Sequence, residues 1–372
     1  MTSPGASAVL EVDHAAVIAN WRALSARHRG GAVAAVVKAD AYGLGAALVA
    51  PALFGAGCRH FFTAHLGEAL ALRPRLPGAM LAVLNGLGPA PGADVIEAFA
   101  HHDLVPVLGA LGEIAAFAAA AGRLGRRLPA ILHIDTGMAR LGLDARELDC
   151  LAQAPELLSG LDLRFVMTHL VAGETAADPL NAAQRQRFAS ACARLPPAKR
   201  SLANSSGIFL GPAFASDLAR AGAELYGINP IPHAGIGNPM RLACRLLARV
   251  LQVREVPEGA PVGYNATWRA ARPSRIATLG IGYADGWPFR LAGQGSAFFD
   301  GAPVPLVGRV SMDLTTCDIT DHPGIGPGIW LELIGPQAPP ERIAALLGTS
   351  PYEILTGLGA RIARVVLPAA AL

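Results

Sequence analysis

Lys38 is the residue in this chain best placed for covalent chemistry. It follows a short apolar run in VAAVVKADAYGLG (33–45), and Asp40, Tyr42, Gly43 and Gly45 come directly after it. An apolar run of this length, closed by a turn signal, reads as a strand buried on both faces, as in a parallel sheet. A lysine at the last position of such a strand stands where the sheet meets solvent or a ligand. Glycines just beyond let the backbone turn and approach that ligand closely. In a partly dry pocket the amine loses proton affinity and becomes a nucleophile, which Schiff-base chemistry needs. Taken alone, a strand-end lysine is more often a solvated end residue, so the rest of the chain decides.

The elements that must position Lys38 recur along the chain. Eight candidate strands cover residues 33–37, 60–64, 80–84, 104–108, 130–134, 163–167, 201–203 and 218–220, with helical material between them. Alternating strands and helices build a parallel sheet, and eight such units close into a (β/α)8 TIM-like barrel. Barrel active sites lie beyond the carboxyl ends of the strands. Lys38, Arg140, His169, Asn204, Ser205 and Arg220 all fall at or just past those ends.

Near residue 240 the pattern changes to alternation with a period of two, at 245–255, 274–282 and 303–318, broken by turns rich in Pro and Gly. This predicts a mostly-β C-terminal domain, with helices at 340–347 and 351–357. The fold class is therefore α/β, a barrel over 10–238 followed by a β-rich domain over 239–372. Residues 1–9 are expected to pack with or beside the second domain. The boundary falls in HAGIGNPMR (233–241).

Composition excludes several functions. Of the 372 residues 52% are hydrophobic and 16% charged, which describes a core-rich globular chain. Net charge is +3 with scattered arginines, so a nucleic-acid partner has no support. Cys58, Cys150, Cys192, Cys244 and Cys317 never pair as CxxC, which suits a reducing compartment and speaks against a zinc site or any other metal centre. Glu11 and Asp13 stand where a secretory leader needs an apolar core, so the expected location is cytoplasmic. The uncharged stretch 41–58 is long enough to span a membrane, but its glycines and Pro51 make it a loop followed by a buried helix.

No GxGxxG opens a helix after a strand, and there is no Walker sequence, HExxH or GxSxG. What remains is the lysine after strand one and an anion seat after strands seven and eight. Barrels often hold phosphate in those last two loops. Here they offer the Ser205 hydroxyl and the backbone N–H groups around Gly222 and Ala223. A lysine amine and a phosphate cradle at one barrel mouth point to pyridoxal 5'-phosphate.

VVKADAYGLG (36–45) resembles the cofactor-lysine motif of the alanine racemases, the fold-type III pyridoxal-phosphate enzymes. HIDTGMARLG (133–142), MTHL (167–170), ANSSG (203–207), RAGAELYG (220–227), VGYNATW (262–268), GYADG (282–286) and GRVSMD (308–313) resemble the same family, in the family's order. The likeness runs from about Leu10 to Leu367, and so many motifs in sequence are specific.

The resemblance implies a homodimeric amino-acid racemase acting on alanine, with D-alanine destined for peptidoglycan. Lys38 would carry the cofactor and act as base on one face of the substrate Cα. Tyr264 of the partner subunit would serve the opposite face. A free tyrosine titrates near 10, so a basic Tyr264 needs positive charge nearby. His169 would sit beneath the cofactor ring, linked to Arg220, which would donate to the ring nitrogen. Tyr42, Ser205, Gly222, Ala223 and Tyr352 would hold the phosphate, with Asn204 in the same cofactor-binding set. Arg140 and the backbone of Met312 would meet the substrate carboxylate, and Tyr283 and Asp313 would shape the entrance or subunit contact.

Two departures from the family pattern matter. His133 stands where some members have a lysine that becomes carbamylated and orders the neighbouring arginine, so Arg140 needs another partner, such as a chloride. Asn265 follows Tyr264 where a glycine is common. A racemase of another small amino acid such as serine, a basic amino-acid decarboxylase and a non-catalytic cofactor carrier stay open; VVKADAYGLG and Tyr264 weigh against the decarboxylase, and the additional β-domain from about residue 240 weighs against the carrier.

Overall fold

The structure is a computed structural model that describes residues 5–233, 235 and 237–367. The expectations that touch residues 1–4, 234, 236 and 368–372 lie outside the described residues. The chain forms two compact units. One comprises Val17–Ala41 and Ala46–Arg241; the other gathers the described parts of Met1–Ala16, Tyr42–Gly45 and Leu242–Leu372. The first strand, β1 (Ala8–Val12), belongs to the second unit.

The larger unit holds eight parallel strands: β2 (Ala32–Val36), β3 (His60–Thr63), β4 (Met80–Val83), β5 (Leu104–Leu108), β6 (Leu128–His133), β7 (Leu161–Met167), β8 (Lys199–Ser201) and β9 (Leu218–Ala221). They run in the order β8-β7-β6-β5-β4-β3-β2-β9. Every strand expected for the barrel is present. The last seam is held by one parallel bridge between Asn204 and Arg220 and by the Arg220 N–H donating to the Ala203 carbonyl at 2.9 Å, so the barrel is nearly closed. Strand β5, LVPVL, and strand β6, LPAILH, are buried at every position, as strands covered on both faces must be. The intervening helices bury one stripe each: Leu111–Leu124 turns Ile114, Phe117, Ala120 and Ala121 inward. A fully buried phenylalanine such as Phe117 contributes about 2–3 kcal/mol by removing its ring from water.

One expectation needs correcting here. Lys38 does not end a strand. Strand β2 stops at Val36, and Val37 continues the ladder only through its N–H to the Phe62 carbonyl, 2.8 Å. Lys38 instead opens a left-handed turn, Lys38–Tyr42, with Ala39, Asp40 and Ala41 at φ 52, 53 and 55° and Tyr42 at φ 55°. Successive non-glycine residues in this region cost roughly 1–2 kcal/mol each, so the turn exists only because its surroundings hold it.

The second unit is a mostly-β fold. Its strands are β1, β10 (Cys244–Val256), β11 (Pro261–Val262), β12 (Trp268–Arg269), β13 (Ser274–Leu279), β14 (Ser296–Phe299), β15 (Ala302–Pro305), β16 (Thr315–Asp318), β17 (Trp330–Ile334) and β18 (Ala363–Val366). The main path is β15-β14-β17-β10-β1-β18, and β13 joins β10 to β16. Strand β10 serves both parts. Its first half pairs with β1 and β17, and a register shift between Val250 and Gln252 turns its second half onto β13. β1 is thus a strand of this sheet, antiparallel to β10 and parallel to β18. The helices Pro340–Leu347 and Pro351–Thr356 lie where the sequence predicts them.

The run 303–318 is not one strand. It splits into β15 and β16, and a turn closed by the Ser311 N–H donating to the Leu314 carbonyl at 2.9 Å lies between them. Alternating polarity carries no record of a turn whose bonds are backbone to backbone. Among the described residues no helix is long and apolar enough to cross a membrane, and the stretch 41–58 contributes the helix Ala46–Gly55 with Pro51 inside it.

Candidate active site

The mouth of the barrel is built from loops that each carry one charged or polar group. After β2, the turn that starts at Lys38 is held by two carboxylates. Glu68 accepts from the Ala39 N–H at 2.7 Å, and also from the N–H groups of Ala64 and His65. Asp40 accepts from the Ala46 N–H at 2.7 Å. A carboxylate taking several backbone donors is a strong fixture, and these two fix the path of the backbone around Lys38. Burial lowers the Lys38 pKa, and the Arg140 charge lowers it further against a smaller opposing effect of Glu68.

After β6, Asp135 gathers the N–H groups of Gly137, Met138 and Ala139 at 2.9, 2.8 and 3.0 Å. This cage orders DTGMAR and delivers Arg140, whose side chain is exposed and has no ion pair among the described residues. His133, at the end of β6, is 8% exposed, and burial, with Arg220 next, lowers its pKa to about 4. It is a neutral group near pH 7 and supplies no anion to Arg140.

After β7, His169 has its pKa lowered to about 3, first by burial and then by Arg220, Arg140, His133 and Lys38. The positive charges of Arg220, Arg140 and Lys38 all oppose a proton on His169. Arg220, at β9, is 3% exposed. Its guanidinium donates to the Thr168 and Ser201 carbonyls and the Ser201 hydroxyl, and a 3.4 Å contact links it to His169 Nδ1. All these partners are neutral. Burial lowers its pKa to about 10, which still leaves it charged near neutrality.

The loops after β8 and β9 meet each other. Ser205 Oγ accepts from the Gly222 N–H at 2.8 Å, and Ala223 opens the short 3-10 helix Ala223–Tyr226. Asn204 caps the helix Ser205–Phe209, its side-chain oxygen accepting from the Gly207 N–H at 2.9 Å.

The remaining candidates belong to the second unit. Tyr42 and Tyr352 meet edge to face there, centroids 6.5 Å apart. Tyr264 lies in the 3-10 helix Tyr264–Ala266 and is 70% exposed. Asn265 beside it takes φ 60°, ψ 17°, a left-handed conformation that asparagine tolerates. Gly282 packs so closely on 311–313 that a Cβ would stand 2.3 Å from the Ser311 carbonyl oxygen. That contact sets Tyr283 and Met312 side by side: the Tyr283 N–H donates to the Ser311 carbonyl and the Ala284 N–H to that of Met312. Arg361 pins the same loops through Asp285 and Asp313, at 3.2 and 2.8 Å.

Sequence reasoning missed Gln184, which is wholly buried in the helix Pro179–Cys192. Its amide donates to Thr136 Oγ1 and to the His169 carbonyl at 3.1 and 2.9 Å, and its oxygen accepts from the Val171 N–H at 2.8 Å. It therefore ties the Arg140 loop to the His169 loop. The available signal was polarity on an inward face: Asn181 and Gln184 share it with Phe188. Glu68 was also missed.

The chain resembles known proteins over nearly its whole length. The family model described as alanine racemase, N-terminal domain, matches residues 12–230, and that of the C-terminal domain matches 243–366. The alanine racemase of Acidiphilium cryptum is 56% identical over 357 residues, 96% of this chain and 98% of that protein. That of Brucella abortus is 46% identical over 97% of this chain and 93% of its own length. Among solved structures, alanine racemase from Bartonella henselae with covalently bound pyridoxal phosphate matches with a TM-score of 0.91 at 41% identity, covering 97% of this chain and all of that one.

Proposed function

The chain belongs to the alanine racemase family, and on that premise we propose that it interconverts L- and D-alanine with pyridoxal phosphate held through Lys38. The observation that carries this reading is the cationic mouth of the barrel. Lys38, Arg140 and Arg220 converge there on two histidines kept neutral, and the partners of Arg220 are uncharged. Such a site calls for an anionic, planar, carbonyl-bearing group. The residues fit pyridoxal phosphate: a desolvated amine for the aldehyde, donors at Ser205 and Gly222 for the phosphate, and a buried donor in Arg220 for the ring nitrogen.

When bound, the cofactor supplies an electron sink that acidifies the Cα–H of an amino acid. The protein's own groups do the rest. Lys38, whose amine is easier to deprotonate than an ordinary lysine, takes or returns the Cα proton on one face. Tyr264 of the partner subunit handles the proton on the other, since inversion needs removal and return from opposite sides. Arg220 keeps its proton, leaves the ring nitrogen unprotonated and so restrains the sink, which favours proton return at Cα. His169 stands beside Arg220 and would line the cofactor ring. Tyr42, Ser205, Gly222, Ala223 and Tyr352 hold the phosphate, with Asn204 shaping the cradle. Arg140 and the backbone N–H of the partner's Met312 receive the substrate carboxylate. With His133 neutral, Arg140 is ordered by the Asp135-built loop and by an anion such as chloride; an anion-free Arg140 site in a high-quality map would remove the chloride from this account.

The assembly is a homodimer. Tyr264, Met312, Tyr283, Phe289 and Leu314 are exposed apolar or aromatic residues of the second unit, which supports a partner surface there; Tyr283 and Asp313 lie at its entrance. The five free thiols suit a reducing, cytoplasmic setting, and the D-alanine formed would feed the cell wall. The direct test is D-alanine formation from L-alanine by the cofactor-loaded protein, with L-serine and L-lysine alongside. Turnover of alanine alone is expected. Cofactor bound on Lys38 with no racemisation of any of the three would sink the reading.

A further inference from the structure

The last strand of the second unit carries an arginine bonded to the backbone beside both tyrosines assigned above to the phosphate. Arg364 lies in β18, in register with Leu10 of β1, and is half-buried. Its Nε and Nη2 donate to the Gly43 carbonyl at 3.1 and 2.9 Å. Nη2 also donates to the Leu358 carbonyl at 2.8 Å, and Nη1 donates to the carbonyls of Ile362, at 2.8 Å, and Gly359. Gly43 directly follows Tyr42. The stretch 358–362 comes just after the helix Pro351–Thr356, which carries Tyr352. Gly43 also lies against that helix, so closely that a Cβ would stand 2.2 Å from the Leu355 carbonyl oxygen. The two tyrosine rings meet edge to face across this contact.

We propose that Arg364 is a positioning residue for the phosphate end of the cofactor site, holding Tyr42 and Tyr352 at a fixed separation by clamping the backbone beside each. This rests on the assignment of those two tyrosines to the phosphate. A guanidinium is planar and presents its donors in a fixed fork, so bonds from one such group to two chain segments define both their distance and their mutual tilt. An ammonium is a point charge on a flexible stem and leaves the tilt free. The Tyr42 end of the turn needs such support: Tyr42 and Gly43 sit at φ 55 and 88°, and a strained path persists only where its surroundings hold it. Two hydroxyls serve one anion together only when both stand within reach of it at once. Arg364 itself makes no cofactor contact in this account; it acts through the two rings.

The test is equilibrium dialysis of the intact protein, freed of cofactor and re-equilibrated with pyridoxal phosphate or with pyridoxal, which lacks the phosphate. The proteins compared are the parent, Arg364→Lys, Arg364→Gln, the double variant Tyr42→Phe/Tyr352→Phe, and that double variant with Arg364→Gln added. Groups that orient a binding side chain from behind are worth about ten- to a hundredfold in affinity at metal sites. On the same ground Arg364→Gln is expected to weaken pyridoxal phosphate roughly tenfold, Arg364→Lys less, and neither to weaken pyridoxal. Because Arg364 acts through the tyrosines, Arg364→Gln should add nothing to the loss already present in the double variant. Equal weakening of both ligands, an unchanged affinity for pyridoxal phosphate, or losses that add in full each overturn the proposal. A double variant that binds pyridoxal phosphate as the parent does overturns the assignment of the tyrosines instead, an outcome distinct from a tyrosine effect that Arg364 does not share. Should the Arg364 variants not fold, hydrogen exchange of the parent decides. Residues 42–45 and 352–362 should gain protection together on binding pyridoxal phosphate and not on binding pyridoxal; independent responses refute the clamp.

Discussion

At the scale of residues, the two histidines fix the sign of the acid response. An imidazole whose pKa falls on folding binds its proton better in the unfolded chain. Between the folded and unfolded values the unfolded chain holds more protons, so stability rises with pH across that window and is lost as pH falls through it. For His133 the window runs from about 4 to 6.5, and for His169 from about 3 to 6.5. The buried His133 accounts for roughly 3 kcal/mol over its full range. Denaturant titrations at about pH 7 and about pH 4 should therefore show a marked loss for the parent and a smaller one for His133→Gln; equal losses would contradict the neutral-histidine account. In the proposed reaction Arg140 would meet the substrate carboxylate. Replacing it with alanine removes a charge-assisted contact of about 1.5–3 kcal/mol, and KM for alanine should rise roughly ten- to hundredfold. An unchanged KM would take Arg140 out of the substrate site.

At the scale of elements, the loop beginning at Lys38 is a strained segment held from several directions. Gly43 takes φ 88°, its carbonyl accepts from the Arg364 guanidinium at 2.9 Å, and a Cβ there would stand 2.2 Å from the Leu355 carbonyl oxygen. Both the angle and the contact exclude a side chain. Gly43→Ala should cost about 2 kcal/mol or more and lower Tm by several degrees. Ala39→Gly, at φ 52°, should be neutral or slightly stabilising, since it removes backbone strain of about 1 kcal/mol. Both are read by thermal unfolding, and the reverse ranking would mean that the turn is not left-handed. The helix Pro179–Cys192 matters through Gln184. Gln184→Leu strands the Val171 N–H and the His169 carbonyl, which should cost about 2–4 kcal/mol and lower kcat by loosening the two loops it joins; full activity and stability would show that those loops hold themselves.

At the scale of the whole molecule, the proposed reaction would need two chains. Lys38→Ala and Tyr264→Phe homodimers should each be nearly inactive. If each site combines Lys38 of one subunit with Tyr264 of the partner subunit, a mixed dimer has one fully mutant site and one intact site. Unfolding and refolding an equimolar mixture then restores about a quarter of the parent activity, because half the dimers are mixed and half their sites are whole. No recovery would place both residues in one chain's site.

Much of this was legible in the sequence. The eight barrel strands could be read because each is a short apolar run buried on both faces, a pattern that needs no partner to be recognised. Lys38, Arg140, His169, Ser205 and Arg220 follow from them, since residues at or beyond the carboxyl ends of barrel strands face the mouth. The two C-terminal helices and the change of period near 240 were visible for the same reason. The path of the Lys38 turn was not, because Ala39 and Ala41 carry no sign of positive φ; the conformation comes from Glu68, Asp40 and Gly43, each bonded to groups outside the turn. The break in 303–318 is made by backbone bonds that leave no trace in polarity. The sequence by itself determined which elements form and which residues could do chemistry, since periodicity and residue type are local properties. Only the tertiary structure decided that His133 and His169 are neutral and that Gln184 joins the loops of Arg140 and His169, because burial and charge coupling depend on neighbours far away in the chain.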